Sequence, residues 1–573
     1  MPMEQHRPDD FFGLTDKIFQ AKLARLTLGV SPAGVAEVVA SWAAHLAMAP
    51  GKAASLLLYP ALHARGCLNR LAGGQCPDTA ADPRFRSESW KLWPWCLYAE
   101  GFRQCESYWS QATKGVPGVT AHTEQLVAFA ARQILDAYCP TNFVGTNPDL
   151  TFETFRSGGA NLVKGGLNAL EDMRRAIIGT APAGTEKFKV GENLAVTPGK
   201  VIYRNELIEL IQYEPQTKTV AKEPVLIIPA WIMKYYILDL SPHNSLVNWL
   251  VGQGHTVFMI SWKNPGKEDR NLGFDDYYRL GVMAALDAVS AVMPETKIHL
   301  TGYCLGGTLA MIAAAALAQN GEDRLKSLTL LAAQGDFTEA GELMLFVSES
   351  GVSYLKNMMW GQGYLDTRQM AGAFQMLRSY DLIWSKIIHD YLMGKREDMI
   401  DLMAWNADAT RMPYRMHSEY LERLFLNNDF AEGRFAVEGE PVAAKDIQVP
   451  IFVVSTETDH VAPWRSVHKV HLMVNGPVRF VLTSGGHNAG IVNEPGHKNR
   501  AYRVHDRNPG DHYLGPDQWL QAAEKRDGSW WLAWQEWMES HSEASRASPP
   551  SMGEPRRGYP PLAEAPGTYV YQR

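Results

Sequence analysis

Three side chains in this sequence could together move an acyl group: the thiol of Cys304, the carboxylate of Asp459 and the imidazole of His487. Cys304 stands in Gly302-Tyr303-Cys304-Leu305-Gly306-Gly307. The apolar run before it, 298–301, predicts a buried strand, and the alanine-rich run after it, 308–318, predicts a helix ending near Gly321. Glycines permit a strained turn and close helix packing there, and they push the apex residue out near a helix N-terminus, where the dipole favours a thiolate. A thiolate attacks thioesters well and leaves an acyl thioester that is still activated, so passing the acyl group on to an alcohol is downhill. The turn therefore points to acyl transfer as much as to hydrolysis. The plainer reading is a glycine turn closing a structural strand–helix unit around an inert thiol.

Such a thiol needs a base and an acid to orient it. The run 451–455 predicts a strand leading into 456–464, so Asp459 falls just past a strand end, where parallel sheets place functional loops. Glu457 is the rival acid, closer to the strand. A second strand, 479–483, leads into Ser484-Gly485-Gly486-His487, and this position separates His487 from the rest of the seventeen histidines. Nucleophile, acid and histidine arrive in the order of the G-x-S-x-G nucleophile elbow of α/β-hydrolases, with cysteine in the place of serine. His487 would deprotonate Cys304, and Asp459 would hold the imidazole in its useful tautomer. The oxyanion hole should use the Leu305 N–H and a second backbone N–H in 229–232, with Trp231 or Ile232 the better choice.

Positioning these groups requires an α/β fold. Residues 16–173 read as helical, and the amphipathic stretches 14–19 and 23–30 read as helices docked on the same protein. Aromatic residues at 90–95 and 108–109 should pack this region. From 201 onward, short apolar strands (207–213, 225–228, 256–262, 298–301, 328–331, 451–455, 480–483) alternate with helical stretches such as 275–292, as a parallel sheet demands. The strand rhythm stops between about 334 and 440, where an α/β-hydrolase would carry a helical lid. Trp530, Trp531, Trp534 and Trp537 fall at helical spacing on a core-docking helix, and the Ser- and Pro-rich end reads as a flexible tail. The expected organisation is a helical N-terminal domain over 1–200, a catalytic α/β-hydrolase-like domain over 201–540, and a tail over 541–573.

The 573 residues allow a large core, and 46% hydrophobic with 20% charged residues is an ordinary globular balance. A formal net charge of −7 argues against a nucleic-acid partner. No apolar run approaches the about eighteen residues of a transmembrane segment, and the N-terminus lacks a secretory pattern, so an intracellular, cytoplasmic chain is expected. The six cysteines form no C-x-x-C pair, so no metal site is expected and all six should be free thiols, five of them simple buried hydrophobes.

Further motifs surround the elbow: Tyr138-Cys139-Pro140-Thr141-Asn142-Phe143, Thr197-Pro198-Gly199-Lys200-Val201-Ile202-Tyr203-Arg204-Asn205, Trp231-Ile232-Met233-Lys234-Tyr235-Tyr236-Ile237-Leu238-Asp239-Leu240, Ser261-Trp262-Lys263-Asn264-Pro265, Trp405-Asn406-Ala407-Asp408-Ala409-Thr410-Arg411-Met412-Pro413 and Asp459-His460-Val461-Ala462-Pro463-Trp464. With them the chain resembles the polyhydroxyalkanoate synthases, the bacterial poly(3-hydroxyalkanoate) polymerases, from about residue 138 onward. The resemblance implies that Cys304 takes a 3-hydroxyacyl group from coenzyme A as a thioester and that a hydroxyl of another unit or of the growing polyester then attacks, with His487 as base. The aspartate either orients the histidine or activates that hydroxyl. The layout is most similar to the single-subunit synthases of short-chain substrates such as 3-hydroxybutyryl-CoA. It implies no cofactor beyond the coenzyme A thioester substrate, a homodimer, a mobile lid, and work at a polyester granule surface in the cytoplasm.

Arg411, Lys234 and Arg415 are candidates for coenzyme A phosphates, each with an ordinary ion pair as the alternative. Asp239 reads as a structural hydrogen-bond acceptor. The competing functions are a cysteine thioesterase or polyester depolymerase on the same fold, and a catalytically silent granule-coat protein.

Overall fold

Sequence signals for helix ends account for most of the N-terminal half. The computed structural model describes residues 11–27, 30–72 and 82–573, without the side chains of 11, 12, 14, 25, 26, 64–72, 371, 373, 374 and 377. Seven helices follow one another: α1 (Phe11–Leu26), α2 (Pro32–Ala47), α3 (Pro50–Ala72), α4 (Trp95–Thr113), α5 (Ala121–Ala137), α6 (Pro148–Arg156) and α7 (Ala160–Ile178). Ser31 caps α2 by accepting the Gly34 N–H, Thr120 caps α5 in the same way, and Gly179 ends α7 in the left-handed region at φ +78°.

Two compact units divide the chain. One comprises 22–183 and 368–398; the other comprises 184–367 and 399–573 with the described residues up to Ala21. The helical unit centres on Phe85, Trp90, Ala99, Phe102 and Cys139, with Trp90 buried as its motif suggested, although Trp93 and Trp109 remain exposed. Ile18 and Phe19 on α1 also stay exposed, so the docking expected of that stretch involves other positions. Residues 368–398, expected in the lid of the catalytic domain, belong instead to the helical unit. Gly165 of α7 makes this possible, because a Cβ there would lie 1.8 Å from the Tyr391 carbonyl oxygen. Cysteine chemistry also differs from expectation. Cys105, Cys139 and Cys304 are free, but Cys96 is disulfide-bonded. A reducing compartment bears on the surroundings of a thiol, whereas the pairing of Cys96 depends on which thiols the fold brings together.

The second unit is built on one eleven-stranded sheet. Its strands are β1 (Gly199–Arg204), β2 (Ile208–Tyr213), β3 (Val225–Ile228), β4 (Val257–Trp262), β5 (Ile298–Tyr303), β6 (Leu325–Leu331), β7 (Ile451–Thr456), β8 (Val478–Thr483), β9 (Ala501–Arg507), β10 (Glu524–Asp527) and β11 (Ala563–Glu564). The order is β10-β9-β8-β7-β6-β5-β3-β4-β2-β1-β11. The run β8-β7-β6-β5-β3-β4 is parallel, and antiparallel strands flank it on both sides. Each of the seven expected strands is present within a few residues. The parallel strands are buried along their length, which is why they read as continuous apolar runs rather than alternating ones. The expected helix at 275–292 is present, with a π-helical stretch at Tyr277–Met283.

The tail is not free. Arg546–Ala547 pairs with Val220–Ala221, and β11 pairs with β1, so backbone bonds to sheet edges hold it where composition suggested a linker. Among the described residues no helix is long and apolar enough to cross a membrane.

One packing feature of this unit has a consequence for stability. His468 and His471 are buried against Phe480 and Trp519, and among the described residues none of their ring nitrogens finds a hydrogen-bond partner. Burial pulls their pKa values down to about 4 and about 3. The unfolded chain, with histidines near 6.5, then binds more protons than the native one, so stability is lost as pH falls below 6.5 toward those values. Between pH 7 and pH 5 each histidine is expected to remove about 1–2 kcal/mol. A His468→Phe variant should show a flatter decline of melting temperature over this range; an unchanged slope would exclude His468 as a cause.

Candidate active site

Backbone contact at the end of β5 shapes the site. β5 turns at Cys304 directly into helix α8 (Leu305–Gln319), and the turn places Cys304 at φ +53°, ψ −123°. A Cβ at Gly302 would lie 2.4 Å from the Gly307 Cα, and one at Gly306 would lie 2.2 Å from the Ile228 carbonyl oxygen. Only glycine fits at these positions, as the hexapeptide suggested. The same contact seats the first turn of α8 against the end of β3 and the loop that follows it. The Cys304 N–H donates to the Leu331 carbonyl (2.9 Å), which fixes the apex while its thiol stays partly accessible.

Two neighbouring loops bring the imidazole and carboxylate to this apex. His487 follows β8, and its Nδ1 lies 2.7 Å from Asp459 Oδ2. Asp459 follows β7; its Oδ1 accepts the N–H groups of Val461 (2.8 Å) and Ala462 (2.9 Å), and its Oδ2 accepts the Thr456 hydroxyl (3.2 Å). Burial alone would raise the Asp459 pKa, but the charge and hydrogen bond of His487 and these two N–H donors outweigh it, and the carboxyl stays below its ordinary value. Burial works against protonated His487, yet the charges of Asp459 and Cys304 and hydrogen bonds to both hold its pKa well above the ordinary histidine value. Glu457, the rival acid, is an exposed residue.

The loop carrying His487 is fixed from several sides. Tyr303, the residue before Cys304, donates its buried hydroxyl to Asn488 Oδ1 (2.7 Å), and its ring lies 5.8 Å from that of His487. Helix α9 (Trp530–His541) contributes two indole donors, Trp530 Nε1 to the Gly490 carbonyl and Trp531 Nε1 to the Ile491 carbonyl, each at 3.0 Å. The four tryptophans are buried as expected, but two of them also satisfy carbonyls of the histidine loop. Sequence reasoning missed the role of Tyr303, whose one signal is adjacency to the cysteine. It also missed Tyr420 in the 334–440 insertion. Burial and the nearby Cys304 charge raise the pKa of this phenol well above its ordinary value.

The N–H groups of Leu305, Trp231 and Ile232 donate to no protein acceptor among the described residues. By contrast, Lys234 is only 3% exposed and its Nζ donates to the carbonyls of Tyr569 (3.2 Å) and Gln572 (2.7 Å). Arg411 donates to the Arg573 carbonyl (2.7 Å) and lies over the Tyr364 ring, while Arg415 pairs with Glu419. All three candidate phosphate contacts are thus engaged within the protein. Asp239 accepts hydroxyls of Thr197 (2.5 Å) and Ser245 (2.7 Å), the structural role expected of it. Among the described residues no group of three or more His, Cys, Asp or Glu side chains is arranged to hold a metal ion. An Asp459→Asn variant removes the foremost charge that keeps His487 protonated. Its imidazole pKa, followed by NMR, is expected to fall toward the ordinary value, and an unmoved pKa would contradict the pairing.

Comparison with known proteins extends the likeness beyond the site. Residues 81–250 match the poly-beta-hydroxybutyrate polymerase N-terminus family, 11–52 the poly-beta-hydroxybutyrate polymerase N terminal family, and 223–493 the alpha/beta hydrolase fold. The poly(3-hydroxyalkanoate) polymerase of Methylorubrum extorquens is 41% identical over 500 residues, covering 87% of this chain and 81% of that one. The poly(3-hydroxyalkanoate) polymerase subunit of Rhizobium meliloti is 39% identical, covering 88% and 83%, and that of Cupriavidus necator is 35% identical, covering 85% and 83%. Likeness of this extent, over an α/β-hydrolase fold and a helical N-terminal region, means that the chain belongs to the poly(3-hydroxyalkanoate) polymerase family.

Proposed function

We propose that the chain polymerises 3-hydroxyacyl groups from coenzyme A thioesters, with 3-hydroxybutyryl-CoA as its substrate, through an acyl thioester on Cys304. The observation that carries this reading is a cysteine at the elbow apex beside an imidazole bonded to a buried carboxylate. The Cys304 thiolate attacks the substrate carbonyl, the bond to coenzyme A sulfur breaks, and His487 supplies the proton to the departing thiolate. A hydroxyl of a second unit or of the chain end then attacks the Cys304 thioester. His487 takes the hydroxyl proton, and the oxygen ester leaves the cysteine sulfur free for the next cycle. In each addition negative charge grows on the carbonyl oxygen, for which the Leu305 N–H and one from the 229–232 loop are available donors.

Asp459 is read as the orienting acid. Its two oxygens already accept Val461, Ala462, Thr456 and His487, and it is 8% exposed, which leaves little capacity for an incoming hydroxyl. For the second oxyanion donor the geometry favours Ile232. The Trp231 carbonyl is held by the Thr410 hydroxyl (2.5 Å), and in a trans peptide the Ile232 N–H then faces the opposite way.

Work at a granule surface in the cytoplasm is part of the same proposal. It draws support from apolar side chains exposed along α7, Val163, Leu167, Leu170 and Ile177, which recur at helical spacing. Homodimerisation rests on the family resemblance alone.

The test is coenzyme A release from 3-hydroxybutyryl-CoA with analysis of the acyl product, for wild type and Cys304→Ala. Insoluble polyester from wild type, with release lowered roughly 10³-fold or more in the variant, is the expected result. Free 3-hydroxybutyrate alone would mean a thioesterase or depolymerase. Undiminished release in the variant would remove Cys304 from the mechanism.

A further inference from the structure

Lys234 is a buried ammonium with an unusual set of partners. Its hydrogen bonds go to two main-chain carbonyls, Tyr569 and Gln572, and among the described residues no carboxylate lies within ion-pair distance. Burial lowers its pKa to about 8; the charge of Asp408 works the other way, while Arg411 and Arg573 add to the lowering. An ammonium buried without a direct counter-ion is costly, so a purely space-filling role would be met better by an apolar side chain.

What Lys234 holds is the end of a strap. Residues 568–573 start at Glu209, a buried carboxylate of β2 that accepts the N–H of Thr568 (2.8 Å), the Thr568 hydroxyl (2.7 Å) and the N–H of Tyr569 (2.9 Å). The strap then passes Asn264, whose N–H donates to Gln572 Oε1 (2.9 Å). Asn264 Oδ1 in turn accepts the Arg411 N–H (2.9 Å), and Arg411 reaches the Arg573 carbonyl.

Lys234 also ends the loop 229–234. On one side the loop is tied to 405–411. Thr410 binds the Trp231 carbonyl through its hydroxyl and the Ile232 carbonyl through its N–H (3.1 Å), and the Trp405 indole donates to the Lys234 carbonyl (2.8 Å). The Trp262 indole holds the start of the loop by donating to the Pro229 carbonyl (2.8 Å), and the strap provides a further tie at its end. We propose that Lys234 is a positioning residue for the oxyanion hole, latching the strap 568–573 onto the loop 229–234 so that its N–H donor is held in place before substrate arrives. This rests on the Cys304 acyl-transfer reading for the donor's function. The latch itself is independent of it.

The test compares wild type, Lys234→Met, Lys234→Arg and Gln572→Ala in the full chain, by steady-state coenzyme A release from 3-hydroxybutyryl-CoA and by hydrogen–deuterium exchange of the 230–234 amides. Expected for Lys234→Met and Gln572→Ala is a kcat lower by roughly tenfold to a hundredfold, KM within about twofold, and faster exchange in 230–234, because small displacements of a donor act on the transition state. Lys234→Arg, which keeps a charged donor, should recover part of the kcat. A raised KM at unchanged kcat would overturn the proposal in favour of a substrate contact. Faster exchange at unchanged kcat would overturn the link to the oxyanion hole, and unchanged exchange in Lys234→Met, which removes both bonds to the strap, would overturn the latch. If Lys234→Met fails to fold, Lys234→Gln, whose shorter neutral donor cannot span to both carbonyls, decides in its place, and Gln572→Ala tests only the seating of the strap on Asn264. A wild type that releases no coenzyme A would defeat the acyl-transfer reading and with it the positioning role, while exchange still tests the latch.

Discussion

Close approach of backbone to backbone at the elbow is the constraint on which this structure turns. Helix α8 begins against the carbonyl of Ile228 and beside Gly302, at distances no Cβ allows. That contact sets three things together. It forces Cys304 into a positive φ that aims its thiol outward, it leaves the Leu305 N–H without an acceptor among the described residues, and it brings the loop after β3 alongside. A single side chain at Gly306 would separate the nucleophile from the loop proposed to stabilise its adduct. The parallel sheet supplies the rest by ordering β6 and β7 beside β5, so that the loops after β7 and β8 converge on the same edge.

Polar satisfaction then fixes the loops that the sheet only delivers. The histidine loop has carbonyls that would be buried and unpaired without the indoles of Trp530 and Trp531. Asp459 likewise receives two backbone N–H donors from its own turn. These bonds make the pairing of His487 with Asp459 a consequence of loop shape, and the two groups shift each other's pKa in opposite directions because each stabilises the other's charge.

Much of this was legible in the residues. Buried parallel strands are continuous apolar runs, so their ends could be located, and residues just past those ends, Cys304, Asp459 and His487, fall where loops of such sheets carry chemistry. The helical N-terminal region was legible for a similar local reason. What stayed hidden depends on long-range pairing. The Ser- and Pro-rich composition of the tail describes a chain without helical or strand propensity, and says nothing about its carbonyls, which accept from Lys234 and Arg411, 335 and 162 residues away. Charge is visible in a sequence, whereas the carbonyls that these two cations bind within the protein are not. The placement of 368–398 with the helical unit rests on long-range contacts with α7: Gly165 facing the Tyr391 carbonyl, Asn161 and Asn168 donating to the carbonyls of Leu392 and Asp390, and Arg396 paired with Glu171 and Asp172.

The pairing of β1 with β11 joins residues such as Lys200 and Glu564, 364 positions apart in the chain. During synthesis the nucleophile, base and acid have all left the ribosome while the outer edge of β1 is still bare and Lys234 still lacks its carbonyl partners. A nascent chain at that stage holds its chemical groups yet presents an open strand edge, the feature most prone to pairing with another chain. The segment that follows the catalytic residues in the chain thus both covers the outer edge of β1 and gives the buried ammonium its carbonyl partners.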